Sequence, residues 1–194
     1  MTYYYITREP TDEESWNLYI LYKLSKIKNK IVGIYYIPSL KYYGPVICSE
    51  HSLNDEIFIE INSEILKNSI KMICVRCGWC CEKNCGAFMF ENELELVDKS
   101  LKYKLPSRVV KLYDGSKVRI YRLDVYRHGM CIFYNYRSRL CRIHDKKPII
   151  CTVTYCARFG TDSNGNLYTR IGRAVSGYII FKKIKRINNI DNTF

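Results

Sequence analysis

Cys74-Val75-Arg76-Cys77-Gly78-Trp79-Cys80-Cys81-Glu82-Lys83-Asn84-Cys85 packs five thiols into twelve residues, and the expected fold follows from why so many sulfurs lie so close together. A two-residue gap lets a turn bring both sulfurs of a pair onto one ion, with the amides between them pointing at the thiolates. Gly78 permits the positive φ that such a turn often needs. Vicinal Cys80 and Cys81 point in different directions, so one of them can serve a different metal or none. Crowding of this kind suits chelation better than the geometry of disulfide bridges.

A second group follows: Cys131, Cys141, His144, Cys151 and Cys156. Its gaps are wider, but Cys131 and Cys141 fall on opposite arms of a predicted hairpin around Asn135 to Arg139, which brings them toward each other. Cys151 follows closely after Pro148. Together the groups supply nine cysteines and a histidine, enough for two four-ligand sites or for one cluster with structural thiols left over. The tenth cysteine, Cys48, stands apart; Cys48-Ser49-Glu50-His51 has ligand spacing, yet a lone pair like this is more often ordinary core or surface.

In order and spacing, Cys74 to Cys81, Met130-Cys131-Ile132-Phe133-Tyr134 and Leu140-Cys141 through Pro148-Ile149-Ile150-Cys151 resemble the CxxCxxCC cysteine-cluster proteins. These are described as zinc- or iron-chelating domains, and their relatives include flagellin N-methylases. The resemblance implies that Cys74, Cys77, Cys80, Cys81, Cys131, Cys141 and Cys151 are the core metal-associated thiols, within a stretch from residue 74 to 156. Residues 1–70 fall outside it. Three positions depart from the pattern: His144 replaces an aromatic residue, Lys147 replaces the arginine of an Arg-Pro pair, and Thr152 replaces an arginine after the last cysteine. Cys85 and Cys156 are additions.

Abundant thiols beside one histidine suit an iron-sulfur cluster or a four-thiolate zinc better than a catalytic zinc, which recruits histidine or carboxylate and keeps one position open. A 4Fe-4S cluster is the first expectation and zinc the second, with Cys74, Cys77, Cys80, Cys81, Cys85, Cys131, Cys141, Cys151 and Cys156 as the candidate ligands. Cys74-x2-Cys77-x2-Cys80-x4-Cys85 differs from the bacterial ferredoxin run in its last gap and lacks the following proline.

With 194 residues the chain can bury a core without metals or disulfides, so a metal site needs some further reason. A hydrophobic fraction of 47% and 18 tyrosines argue against disorder. No stretch approaches the run of roughly 18 apolar residues that a spanning helix needs, and Met1 to Ser15 lacks the apolar core of a signal peptide. A cytoplasmic protein with no membrane partner is expected. Of the net charge of +12, residues 1–70 carry −2 and residues 71–194 carry +14. The cysteine-rich half is therefore the basic half, which attracts phosphates or acidic protein surfaces.

Residues 12–30 read as an amphipathic helix capped by Thr11 or Asp12, with a Trp16/Ile20/Leu24/Ile27 stripe. Ile31 to Ile37 reads as a strand and residues 53–72 as a second helix, from apolar positions at Ile57, Ile61, Ile65 and Ile70. Beyond the first cysteines, Ala87 to Phe90 is a short strand and Glu91 to Leu101 a helix. Val109–Tyr113 and Lys117–Leu123 form a hairpin about Asp114-Gly115, and Leu167–Ile171 pairs with Val175–Phe181. The expected fold is α+β: one small domain with N-terminal helices and C-terminal β-hairpins around a cysteine-ligated metal centre. Residues 1–70 are its scaffold, 71–181 its metal-binding part and 182–194 a basic, then polar tail.

Lys117 and Arg119 alternate onto one strand face with Tyr121, Arg137 and Arg139 crown a hairpin, and Lys182, Lys183, Lys185 and Arg186 follow near the end. Such residues can track an RNA backbone while Tyr121, Tyr134 and Tyr136 stack on unpaired bases. A metal-stapled module on RNA or a ribonucleoprotein is the leading functional expectation, and an acidic protein is the other partner that the charge admits. Two alternatives stand beside it, an iron-sulfur-dependent protein methyltransferase-like enzyme and a metal carrier or assembly factor. No glycine-rich cofactor loop, HExxH or nucleophile elbow supports catalysis.

Overall fold

β-Branched and aromatic residues crowd both ends of the chain, and there they form strands. A computed structural model describes residues 1–6, 13–53, 55, 57–82, 86–98, 103–126, 129–153, 158–173 and 179–184. The chain makes two compact units, and the division is not linear. One comprises Met1–Glu9, Asn29–Val75 and Tyr155–Phe194, the other Pro10–Lys28 and Arg76–Thr154.

The first, the sheet unit, contains β1 (Thr2–Ile6), β2 (Ile31–Ile37), β3 (Tyr42–Ser49), β4 (Phe58–Ile61), the short helix α1 (Ser63–Lys67), β5 (Ile70–Met72) and three strands from the far end of the chain, Phe159–Thr161, Leu167–Arg173 and Ile179–Ile184. These eight strands form one antiparallel sheet, ordered from the last strand inward through Phe159–Thr161, β5, β2, β3 and β1 to β4. β2 and β3 are a hairpin in which Tyr36 faces Tyr43, with a bulge between Ile31 and Gly33. Tyr5, Ile37, Val46 and Ile61 make a buried cluster, against which Ile65 and Leu66 of α1 pack. The Tyr5 hydroxyl donates to the carbonyls of Tyr35 at 3.0 Å and Tyr42 at 3.2 Å.

The single helix expected over 53–72 is instead strand, helix and strand. Phe58-Ile59-Glu60-Ile61 alternates and pairs with β1, Tyr3 facing Ile61 and Ile6 facing Phe58. Asn62 then accepts from the Ile65 amide at 2.9 Å, a cap that starts a helix where the longer one would have continued. Apolar residues four apart suited either period, and pairing with β1 decided between them. The strand at 31–37 forms as expected. The C-terminal hairpin forms over Leu167–Arg173 and Ile179–Ile184, a few residues beyond the expected second arm.

The second, the cysteine unit, begins with α2 (Glu14–Lys26), which buries Trp16, Ile20 and Leu24 of the expected stripe. The expected caps Thr11 and Asp12 lie outside the described residues. After α3 (Trp79–Glu82) come β6 (Phe88–Phe90), a 3-10 turn over Glu91–Leu96, β7 (Ser107–Lys111), β8 (Lys117–Arg122), β9 (Tyr134–Asn135), β10 (Leu140–Cys141) and α4 (Ile149–Val153). β6, β8 and β7 form a three-stranded sheet, and β9 pairs with β10. The hairpin about Asp114-Gly115 is as expected, closed by the Leu112 amide on the Ser116 carbonyl at 2.8 Å with Gly115 at φ +83°.

Of the helix expected over Glu91 to Leu101, residues 99–101 lie outside the described residues, and among the described ones Glu91–Leu96 forms a 3-10 turn. Leu94 of the turn and Val97, which follows it in extended backbone, both enter one core. That core joins Ala87, Met89, Leu94, Val97, Leu105, Leu123 and the run Cys131 to Tyr134, with Cys81, Cys141 and Cys151 packed at its margin.

Candidate metal centre

The loop before α3 is shaped by backbone conformation. Arg76 and Gly78 both take positive φ, +56° and +76°, and the Gly78 carbonyl accepts from the amides of Cys81 at 2.9 Å and Glu82 at 3.0 Å. A Cβ at Gly78 would lie 2.5 Å from the Arg139 carbonyl oxygen and 3.0 Å from the Tyr134 ring. Glycine is thus required twice, for its φ and for the close approach that seats the first cysteine loop on the β9–β10 hairpin.

That seating joins the two cysteine groups. The Cys131 amide donates to the Cys81 carbonyl at 2.9 Å. The Cys80 and Cys81 sulfurs lie 4.0 Å apart, and the Cys81 thiol also hydrogen-bonds Cys141. Hydrogen bonding from Cys81 brings Cys80 and Cys141 down to about 6, helped by the Lys147 ammonium and, at Cys141, by the Ile143 amide. Cys81 is pushed up, first by its bond to Cys141, then by its bond to Cys80 and by burial.

The remaining candidates are placed as follows. Cys131 is buried in the core of the cysteine unit, and Cys151, on α4, packs at its margin. Cys77 is exposed in the loop, and Cys74 is exposed in the sheet unit. Cys85 and Cys156 lie outside the described residues. Cys48 is half-buried on β3 of the sheet unit, across from Tyr3. All eight described cysteines are free thiols. Among the described residues, no three Cys, His, Asp or Glu side chains stand as a ready-made coordination sphere. Among the described residues the expected cysteine-ligated centre is not formed; Cys80 and Cys81 are the pair whose sulfurs approach, at 4.0 Å.

A support that the spacing of cysteines did not reveal is Glu93. Its buried carboxylate accepts from the Ile149 amide at 2.7 Å and the Phe90 amide at 3.2 Å, and Lys28 lies 3.6 Å away. Burial pushes the Glu93 carboxyl up, against those hydrogen bonds and Lys28. Lys28 also donates to the Lys147 carbonyl at 3.1 Å. Between them they fix the start of α4, which carries Cys151. Nothing in the sequence sets it apart, since Glu91 and Glu95 flank it two residues away on either side.

The basic residues divide between the units. Lys117 and Arg119 are exposed on β8, and Arg137 and Arg139 are exposed at the β9–β10 turn. Lys182 and Lys183 are exposed in the sheet unit; Lys185 and Arg186 lie outside the described residues. Tyr136 is 73% exposed, but Tyr134 is buried and donates to Glu82 at 3.5 Å. Tyr134 is a core ring rather than a stacking platform, because its strand faces the thiols.

A family described as "Putative zinc- or iron-chelating domain" matches residues 73–169, half of the chain. The chain belongs to the CxxCxxCC family. No curated protein and no solved structure matches it. The matched CxxCxxCC stretch runs from just before Cys74 past Cys156, so metal chelation of the zinc or iron kind is the activity that the family assigns to it. The residues fit such an ion on their own chemistry. Two thiolates bound at about 2.3 Å on a tetrahedral ion stand roughly 3.8 Å apart, close to the 4.0 Å between Cys80 and Cys81. No described helix is long and apolar enough to cross a membrane.

Proposed function

We propose that this protein holds a single zinc or iron ion in its cysteine unit, with Cys80, Cys81 and Cys141 as the primary donors. The observation that supports this is the 4.0 Å approach of the Cys80 and Cys81 sulfurs, with Cys141, sixty residues on in the chain, acting on the Cys81 thiol. In a 4Fe-4S cluster each thiolate takes a separate iron, which spreads the sulfurs beyond contact distance. The close Cys80–Cys81 pair therefore favours a mononuclear ion over the 4Fe-4S cluster that thiol abundance alone suggested. Cys77, Cys131 and Cys151 are the reserve donors in the same unit, and Cys74 is implied by spacing alone. When bound, the ion neutralises the thiolates and fastens α3, β10 and the Cys131 segment together, which is a structural role.

Anaerobic purification with elemental analysis and an absorption spectrum tests the reading. One equivalent of zinc or iron without labile sulfide is expected. Four irons with matching sulfide would replace the single ion by a cluster, and no metal at all would end the proposal.

A second reading concerns the partner. On the outer face of the β7–β8 hairpin Lys111 stands directly opposite Lys117, and Arg119 follows two residues on. Like charges across a strand pair oppose each other, and an arrangement that keeps them together suits an anionic ligand. We assign these residues, together with the exposed Arg137 and Arg139, to RNA docking, and the test is salt dependence. RNA affinity should fall steeply as salt rises, and Lys117→Ala with Arg119→Ala should lower the slope by up to about 2.

A further inference from the structure

We propose that the open edge of β7 takes an acidic, extended peptide as an added strand. This goes beyond the metal and RNA readings, because it uses backbone groups that neither of them employs.

β7 is the outermost strand in the order β6, β8, β7, and among the described residues it pairs with β8 alone. The hydrogen bonds at its two ends fix which residues bond inward. The Leu112 amide donates to the Ser116 carbonyl at 2.8 Å, and the Arg122 amide donates to the Pro106 carbonyl at 2.9 Å. Inward-bonding residues alternate along an antiparallel strand, so in the register that sets Val109 opposite Arg119 the groups of Arg108 and Val110 point at β8. The amides and carbonyls of Ser107, Val109 and Lys111 therefore point away from the sheet. Ser107, Arg108, Val109 and Lys111 are exposed, Val109 by 54%, so this row of donors and acceptors stands open. Main-chain bonds to such a row give strand addition its affinity, and side chains at alternate positions give it specificity.

Charge decides which strand fits. Residues directly opposite each other share a face, which groups Val109 and Lys111 with Arg119 and Lys117. On the other face Arg108 is already met by Glu14 at 2.9 Å, and Asp114 of the turn is engaged by the Ser116 hydroxyl at 2.6 Å. A second copy of β7 would set this basic face beside its own image, and like charges on neighbouring strands oppose pairing. An incoming strand whose alternate side chains are carboxylates puts them on the face of Lys111, Lys117 and Arg119, while its intervening apolar residues lie beside Val110. The charge that guards the edge against other copies is the charge that admits an acidic partner.

A short fluorescent peptide of alternating valine and glutamate, titrated into the full chain and followed by anisotropy, tests this. Val109→Pro is the decisive variant. The Val109 amide points outward, so proline removes no bond to β8 and is tolerated as on other edge strands, yet it takes away the central donor of the open row. The wild-type chain should bind the peptide, V109P at least about tenfold more weakly, and Val109→Thr, which keeps the amide, as the wild type does. No binding by the wild-type chain overturns the proposal, and so does equal binding by V109P, which would mean that charge alone attracts the peptide. RNA affinity lost in V109P with the peptide unaffected would give the edge to nucleic acid, and a wild-type dimer that V109P turns into a monomer would give it to a second copy; either result overturns the acidic strand. Should V109P not fold, N-methylation of one or the other alternate set of peptide amides makes the same test on the wild-type chain: one of the two sets must abolish binding, and full binding by both overturns the proposal.

Discussion

The two units hold themselves together by different means. In the sheet unit eight antiparallel strands satisfy one another's backbone groups along a continuous ladder, with tyrosines and isoleucines as the packing between them. In the cysteine unit the elements around the thiols are short: α3 has four residues, α4 five, β9 and β10 two each. Helices of that length have no stability of their own. What fixes them is a small number of specific contacts, namely Gly78 under Arg139, the Cys131 amide on Cys81, and Glu93 on Ile149. A ladder tolerates the loss of one rung, but a unit pinned at a few points gains most from an ion that joins three of its segments.

The sharpest way to break this contrast is to remove the sulfurs. Cys81→Ser with Cys141→Ser should abolish metal binding and, with zinc at a hundredfold its dissociation constant, forfeit about 3 kcal/mol of stability. Hydrogen exchange should show lost protection at the amides of Cys131, Tyr134 and Arg142, all bonded within the cysteine unit. Amides between β1 and β3 should keep theirs. If protection falls equally in both units, the contrast is mistaken.

A matched pair of glycine substitutions comes next. Gly78→Ala places a side chain at φ +76° and 2.5 Å from a backbone oxygen, and should cost about 2–3 kcal/mol with weakened metal binding. Gly160→Ala meets Ile70 Cγ2 at 2.4 Å and the Lys71 carbonyl at 3.0 Å in the sheet unit. Its cost should be of similar size, but metal affinity should be unchanged. Denaturant titration beside metal titration separates the two.

Glu93 sharpens the contrast through pH. Glu93→Ala orphans the Phe90 and Ile149 amides and should cost about 2 kcal/mol. Glu93→Gln keeps an acceptor without the charge. The carboxyl is held more firmly protonated in the folded chain than in the unfolded one, so its contribution is fullest below the ordinary carboxylate range and is lost as pH rises through its own higher titration. Thermal unfolding of wild type and E93Q from acid to neutral pH should therefore diverge in favour of E93Q. Parallel curves would show that burial does not burden this carboxyl.

Much of the cysteine unit could be read in advance, because its signals are local. The Asp114-Gly115 turn, the hairpin between Cys131 and Cys141 and the positive φ at Gly78 each follow from a few adjacent residues. The sheet was less legible. Thr2–Ile6 carries strand-forming residues, but its partners lie forty or more positions away, as Tyr5 and Val46 do, and no local pattern names a distant partner. The helix expected at 53–72 failed for the same reason, since β1 supplied a pairing that periodicity does not register. In the candidate site the thiols were legible as chemistry. Glu93 was not, because a buried acid is recognised only by what surrounds it.

The smallest expected effect lies in the sheet unit. Tyr5→Phe removes a hydroxyl that donates to two carbonyls across the sheet while keeping the buried ring. The exchange of a made hydrogen bond for unsatisfied acceptors should cost about 1 kcal/mol, because the ladder on either side stays closed. Metal affinity should be the same as in the wild-type chain. A loss well above that, or any change at the metal, would mean that the sheet is also pinned at single points, and the contrast between the two units would fail on the side that looks safest.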